Sequence, residues 1–261
     1  DIALDQLLIE PISASNTVVF NEEKELGVCV VDIGAGTTDI AIYKHNKLVH
    51  VCTIPLGADL INSDLTKALS ISHSQAEQIK RRLGKQIINT NDEKEVIEIP
   101  SLLKGKAKLV PVVNAAIIIE SRMAEMMEVV HCEILSTNLH LESGIVLTGG
   151  GAHLAYVDQL FECVCQLPCR IGNPLENVDF NQCQEANDCQ YAAGIGVAYQ
   201  SLLQPTHRQT TKHAVYKMRN EYPTFEEFAK KFTSSDFLTQ FLQKVKVLFL
   251  EDIQYEYPPK S

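Results

Sequence analysis

Two glycine-rich loops contain the residue types of this chain that are best suited to chemistry. The first loop runs from Asp32 to Asp39 as DIGAGTTD, and the second follows Leu147 as TGGGA. Glycines let backbone N–H groups approach an anion without a Cβ in the way. Thr37 and Thr38 add hydroxyl donors, and a carboxylate at a strand end, here Asp32, can hold a metal-bound water. These residue types therefore indicate a site for a phosphorylated ligand.

Each loop has other interpretations when it is taken alone. A dinucleotide-binding loop requires G-x-G-x-x-G before a helix, but Asp39 occupies the third glycine position and a hairpin follows. No Gly-Lys-Ser/Thr follows, so the loop is not a P-loop. Either loop alone is also compatible with a plain tight turn. Because both loops end apolar strands and lie about 115 residues apart, the pair favours a nucleotide clamp.

The elements that must hold the first loop form an antiparallel meander. Gly27–Ile33 is an apolar, largely β-branched run that is typical of a central buried strand. Asp39–Tyr43 and Lys47–Thr53 are predicted to be further strands, joined by a hairpin turn at His45 and Asn46. The first glycine loop therefore connects the first two strands of the meander.

Helical and strand patterns alternate along the rest of the chain. Helices are predicted from apolar spacing and capping residues at Ala58–Leu69, Ser72–Leu83, Pro111–Leu139, His153–Gln166 and Tyr191–Leu203, with a helix or turn at Ser13–Phe20. Short strands are predicted at Gln6–Ile9, within Asn89–Lys106, at Gly144–Leu147 and at Pro168–Ile171. This alternation predicts an α/β fold.

Composition excludes several classes of protein. The 261 residues are 45% hydrophobic and 21% charged, as in globular proteins rather than disordered chains. The net charge of −10 disfavours a nucleic-acid partner. The charge is uneven, since residues 1–203 contain 14 basic and 26 acidic side chains whereas residues 204–261 contain 9 and 7. No apolar run reaches the roughly 20 residues that span a bilayer, and the start at Asp1 without Met favours a fragment or a processed product.

The eight cysteines are predicted to be reduced thiols rather than metal ligands. Most lie in apolar runs such as GVCVVDIG and HVCTIP, where a thiol acts as a small hydrophobic group. The five cysteines from Cys163 to Cys189 lack paired knuckle spacing and a nearby histidine. A cytoplasmic location fits this pattern.

Five separated blocks resemble the FtsA family of bacterial cell-division proteins, within the actin/Hsp70/hexokinase superfamily. In chain order the blocks are DQLLIEPISASNTVVF, ELGVCVVDIGAGTTDIAIY, SHSQAEQIKRRLG, GIVLTGG and CRIGNPL. The resemblance covers about residues 1–203 and implies an actin-like (ribonuclease H-like) α/β fold. This chain would supply the second half of a two-lobed ATPase clamp, followed by an amphipathic C-terminal tail.

The resemblance also implies how the chain is divided. Residues 1–56, with the second phosphate loop of the family, and residues 144–203, with the adenosine loop and final helix, would form subdomain 2A. Residues 57–143 would form subdomain 2B, with helices that contact nucleotide and partner. Residues 204–261 would be a linker and an amphipathic segment.

Family positions carried onto this sequence imply an ATP site with Mg²⁺. Asp32 would coordinate Mg²⁺ through water. The phosphate cradle would be formed by Gly34, Gly36, Thr37 and Thr38. The ribose and adenine contacts would come from Glu77 and Lys80. The nucleoside would pack against Gly149, Gly150 and Gly151. Glu77 and Lys80 also fit a surface ion pair on one helix face, worth about 0.2–0.5 kcal/mol. No catalytic residue is implied, so the chain would be a nucleotide-binding scaffold with at most weak ATPase activity.

A partner site is also implied on the long predicted helix. Glu120, Arg122 and Glu125 fall where the family receives the C-terminal tail of the tubulin-like ring protein FtsZ. The family also self-associates into actin-like filaments. Charged residues on a helix otherwise form its solvated face, and the partner role rests on the resemblance alone.

The sequence departs from the family pattern in two ways. Ala35 replaces a usual glycine and places a methyl group near the phosphates. The first phosphate loop of the family, and the interaction subdomain that follows it, have no counterpart in the chain. We therefore expect weak or no ATP binding by this chain alone.

The last segment predicts a membrane-binding helix behind a linker. Apolar residues of SSDFLTQFLQKVKVLFLED lie within about 140° of a helical projection, and the stripe includes Phe237, Phe241, Leu242, Leu248 and Phe249. In the resembled family such a helix binds the inner face of the cytoplasmic membrane peripherally. The alternative is packing on the protein's own core, which the thin basic flank and the following acidic residues favour.

Two other functions remain open from the sequence. A pilus-assembly actin homologue of the PilM type shares the glycine loops but does not use an amphipathic tail. Another ATPase of the superfamily, such as a chaperone-like motor or a sugar kinase, is the second alternative. No sugar-binding constellation with an aspartate base, and no peptide-binding β-domain, is visible in the sequence.

Overall fold

The computed structural model describes residues 7–84, 95–99, 107–174 and 184–203. The predicted membrane-binding stripe from Phe237 to Phe249 lies outside these residues, and so does the rest of the segment 204–261. None of the helices in the described part of the chain combines the length and apolarity that crossing a bilayer requires.

A five-stranded sheet forms the centre of the fold. Its strands are β1 Val28–Ile33, β2 Thr38–Lys44, β3 Lys47–Ile54, β6 Ile145–Thr148 and β7 Cys169–Ile171. Their spatial order is β3-β2-β1-β6-β7. Strands β1 to β3 pair antiparallel, which confirms the predicted meander, whereas β6 and β7 run parallel to β1. A separate antiparallel pair contains β4 Val96–Ile99 and β5 Lys108–Pro111.

Seven α-helices accompany the strands in the described ranges, which confirms the predicted α/β class. They are α1 Glu10–Val18, α2 Asn21–Leu26, α3 Asp59–Leu69, α4 His73–Leu83, α5 Val112–Ser136, α6 Val157–Cys165 and α7 Ala192–Leu203. Helix α4 begins with a capping box in which Ser72 and Gln75 exchange hydrogen bonds. The predicted hairpin turn between β2 and β3 is present, with His45 and Asn46 at φ values of 52° and 57°. Two left-handed residues in succession match the right-handed twist of the paired strands.

The sheet presents two different faces because side chains alternate along each strand. Val28 and Val30 of β1 and Tyr43 of β2 pack with α1 and α7 in one buried cluster. Cys29 and Val31 are also fully buried but point to the opposite face. Helix α5 approaches this second face, where Glu133 contacts His50 of β3. The β1 strand is therefore buried on both sides, as a central strand must be.

Two predicted elements differ from the structure. The strand predicted at Gln6–Ile9 is wrong for the described residues, because Leu7 and Ile9 are 81% and 56% exposed and pair with no described strand. Helix α1 starts directly afterwards, with Pro11 in the first turn, where its fixed φ suits a helix. The prediction rested on apolar composition, but no strand among the described residues packs beside Leu7 and Ile9 to bury them.

The helix predicted at His153–Gln166 is shorter than expected. A 3₁₀ turn spans Gly150–His153, and α6 begins only at Val157. Tyr156, which precedes α6, adopts a left-handed conformation with φ of 59° and thus interrupts the helical path. The second glycine loop consequently leads into a tight turn rather than into the first turn of a long helix.

Close packing of α1 against α7 generates a prediction about two glycines on α7. A Cβ at Gly196 would overlap the carbonyl group of Ser13 on α1, whereas a Cβ at Gly194 would meet nothing within 4 Å. We expect Gly196→Ala to lower the free energy of unfolding by about 1–3 kcal/mol through overpacking. Gly194→Ala should be neutral or should raise it by up to about 1 kcal/mol, because alanine favours the helix. Thermal unfolding followed by circular dichroism measures both, and equal midpoints would contradict the packing.

Candidate functional site

The two glycine loops meet because the strands before them are neighbours. Strands β1 and β6 run parallel and pair Asp32 with Thr148, so both strands end at the same edge of the sheet. A Cβ at Gly149 would overlap the carboxylate oxygen Oδ1 of Asp32, and Gly149 has a φ of 83°. Only glycine satisfies both conditions without strain. The predicted proximity of Asp32 and the second glycine loop is thus present in the fold.

The first loop is held in place by the start of α3. The N–H of Ala58 donates to the carbonyl of Gly34, and the N–H of Asp59 donates to the carbonyl of Ala35, both at 2.9 Å. A Cβ at Gly57 would overlap the carbonyl of Ala35, so this glycine lets the loop and the helix approach closely. Sequence analysis missed Gly57, although a glycine directly before a predicted helix was a detectable signal.

The hydrogen-bonding groups of the first loop divide into two sets. The N–H of Gly34 donates to the carbonyl of Thr37 and closes the turn at 2.9 Å. The Thr38 hydroxyl, which is buried, donates to the carbonyl of Leu56 at 2.8 Å. By contrast, no carbonyl in the described ranges accepts from the N–H groups of Ala35, Gly36 or Thr37. These three groups are the ones that remain able to bind an anion.

The carboxylate of Asp32 is buried near the end of β1, directly before the loop that carries these N–H groups. Burial and, to a smaller extent, the nearby carboxylates of Glu10 and Asp39 together raise the pKa of Asp32 to about 7. Among the described residues no donor hydrogen-bonds to Asp32, whereas Asp39 accepts from Thr37 at 3.0 Å and from Thr53 at 2.6 Å. A buried carboxylate without a donor is stabilised in its charged form by a cation. The residues present therefore fit Mg²⁺ held through water at Asp32.

The second loop is fastened to the segment before α7. The carbonyl of Cys189 accepts from the Thr148 hydroxyl at 2.8 Å and from the N–H of Gly149 at 3.1 Å. A Cβ at Gly151 would overlap the side chain of Ile33, whereas a Cβ at Gly150 would meet nothing within 4 Å. Gly151 therefore serves the packing of the loop on β1, and Gly150 faces open space where a ligand can approach. Cys189 is a second residue that sequence analysis missed.

Glu77 and Lys80 form a half-buried ion pair on α4, 2.7 Å apart. Glu77 also accepts from Asn62 and Arg81, each at 2.6 Å. Burial would raise the pKa of Glu77, but the hydrogen bonds from Lys80, Arg81 and Asn62 lower it to about 2. The ion pair given above as the alternative interpretation is therefore present. The contact of Glu77 and Lys80 with ribose and adenine stays a prediction.

Helix α4 nevertheless connects the two glycine loops physically. Lys80 donates to the carbonyl of Ala58 at 3.3 Å, and Ala58 in turn binds Gly34 of the first loop. Directly after α4 ends, one turn beyond Lys80, the carbonyl of Gly84 accepts from the N–H of Ala155, just after the second loop. The predicted pair on α4 therefore lies on the element that fixes the spacing of the two loops.

The three residues predicted to bind a partner lie on α5 but do not form one cluster. Arg122 donates to Asp64 and to Glu125, each at 2.6 Å, so that α5 is tied to α3. Glu120 lies two residues before Arg122, or about 200° around the helix. Burial raises the pKa of Glu120. The fold thus brings Arg122 and Glu125 together and places Glu120 on a different side of α5.

Comparison with known proteins shows what the chain resembles over most of its length. The sequence model of the family "Cell division protein FtsA" matches residues 29–196. FtsA of Neisseria meningitidis serogroup B is 37% identical over 175 residues, which cover 66% of this chain and 42% of that protein. FtsA of Escherichia coli strain K12 is 33% identical over 207 residues, which cover 76% and 49%. The chain therefore spans about half the length of the curated relatives it matches.

Solved structures share the fold at lower identity. MreB5 of Spiroplasma citri bound to ADP matches with a TM-score of 0.58 and 22% identity, over 74% of this chain and 59% of that chain. A PilM–PilN type IV pilus biogenesis complex matches with a TM-score of 0.53 and 18% identity, over 75% and 50%. These similarities confirm the predicted actin-like fold.

Burial of Asp32 predicts an unusual dependence of stability on pH. The folded state holds a proton on Asp32 up to about pH 7, whereas the unfolded chain releases it near 3.8, so stability falls as pH rises between these values. We expect Asp32→Asn to raise the free energy of unfolding by about 4 kcal/mol above pH 7 and by almost nothing near pH 4. Urea unfolding at the two pH values measures this gain.

The control for this prediction is Glu98→Gln, which changes an exposed carboxylate on β4. That variant should change the unfolding free energy by less than about 0.5 kcal/mol at either pH. A gain for Asp32→Asn that is the same at both pH values would contradict a proton-linked cost at Asp32.

Proposed function

The chain belongs to the FtsA family of cell-division proteins, and we propose that it forms part of an actin-like scaffold that binds ATP and tethers FtsZ to the membrane. The observation that supports nucleotide binding best is the junction of Asp32 and Gly149. Among the described residues, the buried carboxylate of Asp32 has no donor and three N–H groups of the same loop donate to no carbonyl. MreB5, which shares the fold and was solved bound to ADP, also supports nucleotide binding.

In this proposal different residues bind the Mg²⁺ ion, the phosphates and the nucleoside of ATP. Asp32 holds the hydrated ion, which would neutralise phosphate charge. The N–H groups of Ala35, Gly36 and Thr37 bind phosphate oxygens, since their hydrogen bonds are otherwise unmade. Gly150 offers open backbone to the nucleoside. Thr38 supports the loop through the hydrogen bond from its hydroxyl to the carbonyl of Leu56.

The affinity of this chain for nucleotide should nonetheless be low. Small-molecule sites bury most of the surface of the ligand they bind. Positions Gly36 and Gly150 both face open space, so the described residues contact a nucleotide from one side. We therefore propose that these loops form one wall of the site.

A titration with a fluorescent ATP analogue tests the nucleotide proposal. We expect no saturation at micromolar concentrations, and we expect the weak binding at higher concentrations to require Mg²⁺. Asp32→Asn should remove that requirement, whereas the Glu98→Gln control should retain it. Micromolar affinity would contradict a one-walled site, and unchanged Mg²⁺ dependence in Asp32→Asn would contradict the role of Asp32.

For the scaffold role, we propose that the ion-paired surface of Arg122 and Glu125 receives the C-terminal tail of FtsZ. Arg122 has two carboxylate partners, and Glu125 is 55% exposed whereas Asp64 is 25% exposed. A carboxylate of the incoming peptide would replace the more exposed partner and leave the bond to Asp64 intact. Glu120 would contribute only at the margin of such a site, because it lies on another side of α5.

For the membrane, we propose that the stripe containing Phe237, Phe241, Leu242, Leu248 and Phe249 binds lipid as an amphipathic helix. This places the protein peripherally on the cytoplasmic face of the inner membrane. Self-association into filaments belongs to the same proposal, since the fold is that of actin-like proteins. The PilM-type alternative is supported by an 18% identical structural neighbour, a similarity that shows the fold alone.

Co-flotation of a labelled FtsZ tail peptide with phospholipid vesicles tests both halves of the tether. The full chain should carry the peptide to the vesicle fraction. A chain that ends at Leu203 should bind the peptide without floating, because it lacks the stripe. Arg122→Gln should float without the peptide, whereas Arg81→Gln, with 78% of its side chain exposed on α4, should behave like the parent.

Two outcomes would overturn parts of this proposal. Equal flotation of the full and shortened chains would exclude the stripe as the anchor. Undiminished peptide binding by Arg122→Gln would exclude the site on α5.

A further inference from the structure

We propose that His50, Cys52 and Glu133 form a binding site for a divalent transition-metal ion, with Zn²⁺ as the best fit. The three side chains lie on two elements, since His50 and Cys52 belong to β3 and Glu133 belongs to α5. Their ligand atoms all lie within 4.8 Å of one another. The site would join the edge strand of the sheet to the long helix beside it.

The positions on β3 follow from the two-residue period of a strand. His50 and Cys52 are separated by one residue and therefore point to the same face of the sheet. Their register partners on β2 are Ile42 and Ile40, which belong to the face that α5 approaches. The same alternation sends Val51 and Thr53 to the other face, so the two ligands on β3 are directed by the strand itself.

Glu133 completes the group from above the sheet. Its oxygen Oε1 lies 2.8 Å from Nε2 of His50. The side chains of His50 and Glu133 are 28% and 33% exposed, and Cys52 is also half-buried. Solvent can therefore deliver an ion and supply a further ligand, while the protein groups keep enough shielding for strong coordination.

The donor set matches the chemistry of Zn²⁺. This ion combines imidazole nitrogen, thiolate sulfur and carboxylate oxygen, and sites with three protein ligands keep a fourth position for water. One thiolate and one carboxylate carry two negative charges, which balance the charge of the ion. Tetrahedral Zn²⁺ with these bonds needs ligand atoms about 3.3–3.8 Å apart. To reach this geometry the 2.8 Å pair must open by about 0.5 Å, and a separation of 4.8 Å would have to close by about 1 Å.

Surrounding charge also favours a cation at this position. Asp39 contributes negative potential at Cys52, although it lies on the neighbouring strand. Burial and then Glu133 raise the pKa of the Cys52 thiol to about 12 in the absence of an ion. The same carboxylate that opposes a bare thiolate would share the ion with it, because a bound metal displaces the thiol proton.

A second group of metal-binding residue types provides an internal comparison. His153, Asp188 and Cys189 also bring their ligand atoms within 4.8 Å of one another. Cys189 holds the second glycine loop through its backbone carbonyl, which leaves its thiol uninvolved in that contact. The side chain of His153 is 42% exposed, against 28% for His50, so this second group is the less shielded of the two.

Cobalt spectroscopy of the full 261-residue chain tests the proposal. Added Co²⁺ should produce thiolate-to-metal charge-transfer absorption at one equivalent, and Zn²⁺ should displace it. Cys52→Ser should abolish this absorption. His50→Gln and Glu133→Gln should weaken Zn²⁺ binding by at least about 100-fold, the upper end of what loss of a mere supporting residue costs.

Matched variants make the result specific. Cys189→Ser and Cys163→Ser change half-buried or buried thiols outside the group and should leave the absorption in place. Zn²⁺ should raise the thermal midpoint of the parent and of Cys189→Ser but not of Cys52→Ser. The proposal is overturned if no thiolate absorption develops, if it survives Cys52→Ser, or if it depends on Cys189 instead.

Discussion

The close approach of Asp32 to the backbone of Gly149 is the constraint on which the rest of the site depends. Parallel pairing of β1 with β6 brings these two residues together at one edge of the sheet. The approach leaves no room for a Cβ at Gly149, and the φ of 83° independently requires glycine there. Any side chain at this position would push the second loop away from the carboxylate of Asp32 and from the backbone of Ile33.

Burial of Asp32 near two other carboxylates lowers the stability of the folded state, and hydrogen bonds to the neighbouring Asp39 limit this loss. Charging Asp32 inside the fold is unfavourable because water is excluded and because Glu10 and Asp39 add like charge. Asp39, in contrast, accepts hydrogen bonds from the hydroxyls of Thr37 and Thr53. The fold therefore gives one carboxylate of the pair hydrogen-bond donors and, among the described residues, leaves the other without one, as the proposed cation site requires. A binding site is destabilised locally in this way so that its ligand can restore the lost interaction.

The sequence predicted the sheet, its meander and both loops, because apolar runs and glycines are local signals. It indicated that the two loops form one clamp because both end apolar strands, and the resemblance agreed. The pairing of β1 with β6 that brings them together joins residues more than 100 positions apart and has no local signal. Cys189 was missed because it contributes a backbone carbonyl, which any residue type could supply. Gly57 did carry a signal, since a glycine directly before a predicted helix allows the close approach to Ala35. The strand predicted at Gln6–Ile9 failed because hydrophobicity does not specify a partner strand.

Alternation along the strands separates the two cation sites proposed for this sheet. Asp32, Asp39 and Thr53 share one face through their register, whereas His50 and Cys52 lie on the other. Hard oxygen ligands suited to Mg²⁺ are thus separated from nitrogen and sulfur ligands suited to Zn²⁺. A single-residue slip of β3 would exchange the faces and bring a thiol beside the phosphate loop. The bulge between Ile42 and Tyr43, which shifts the register just before the hairpin, therefore matters for chemistry as well as for shape.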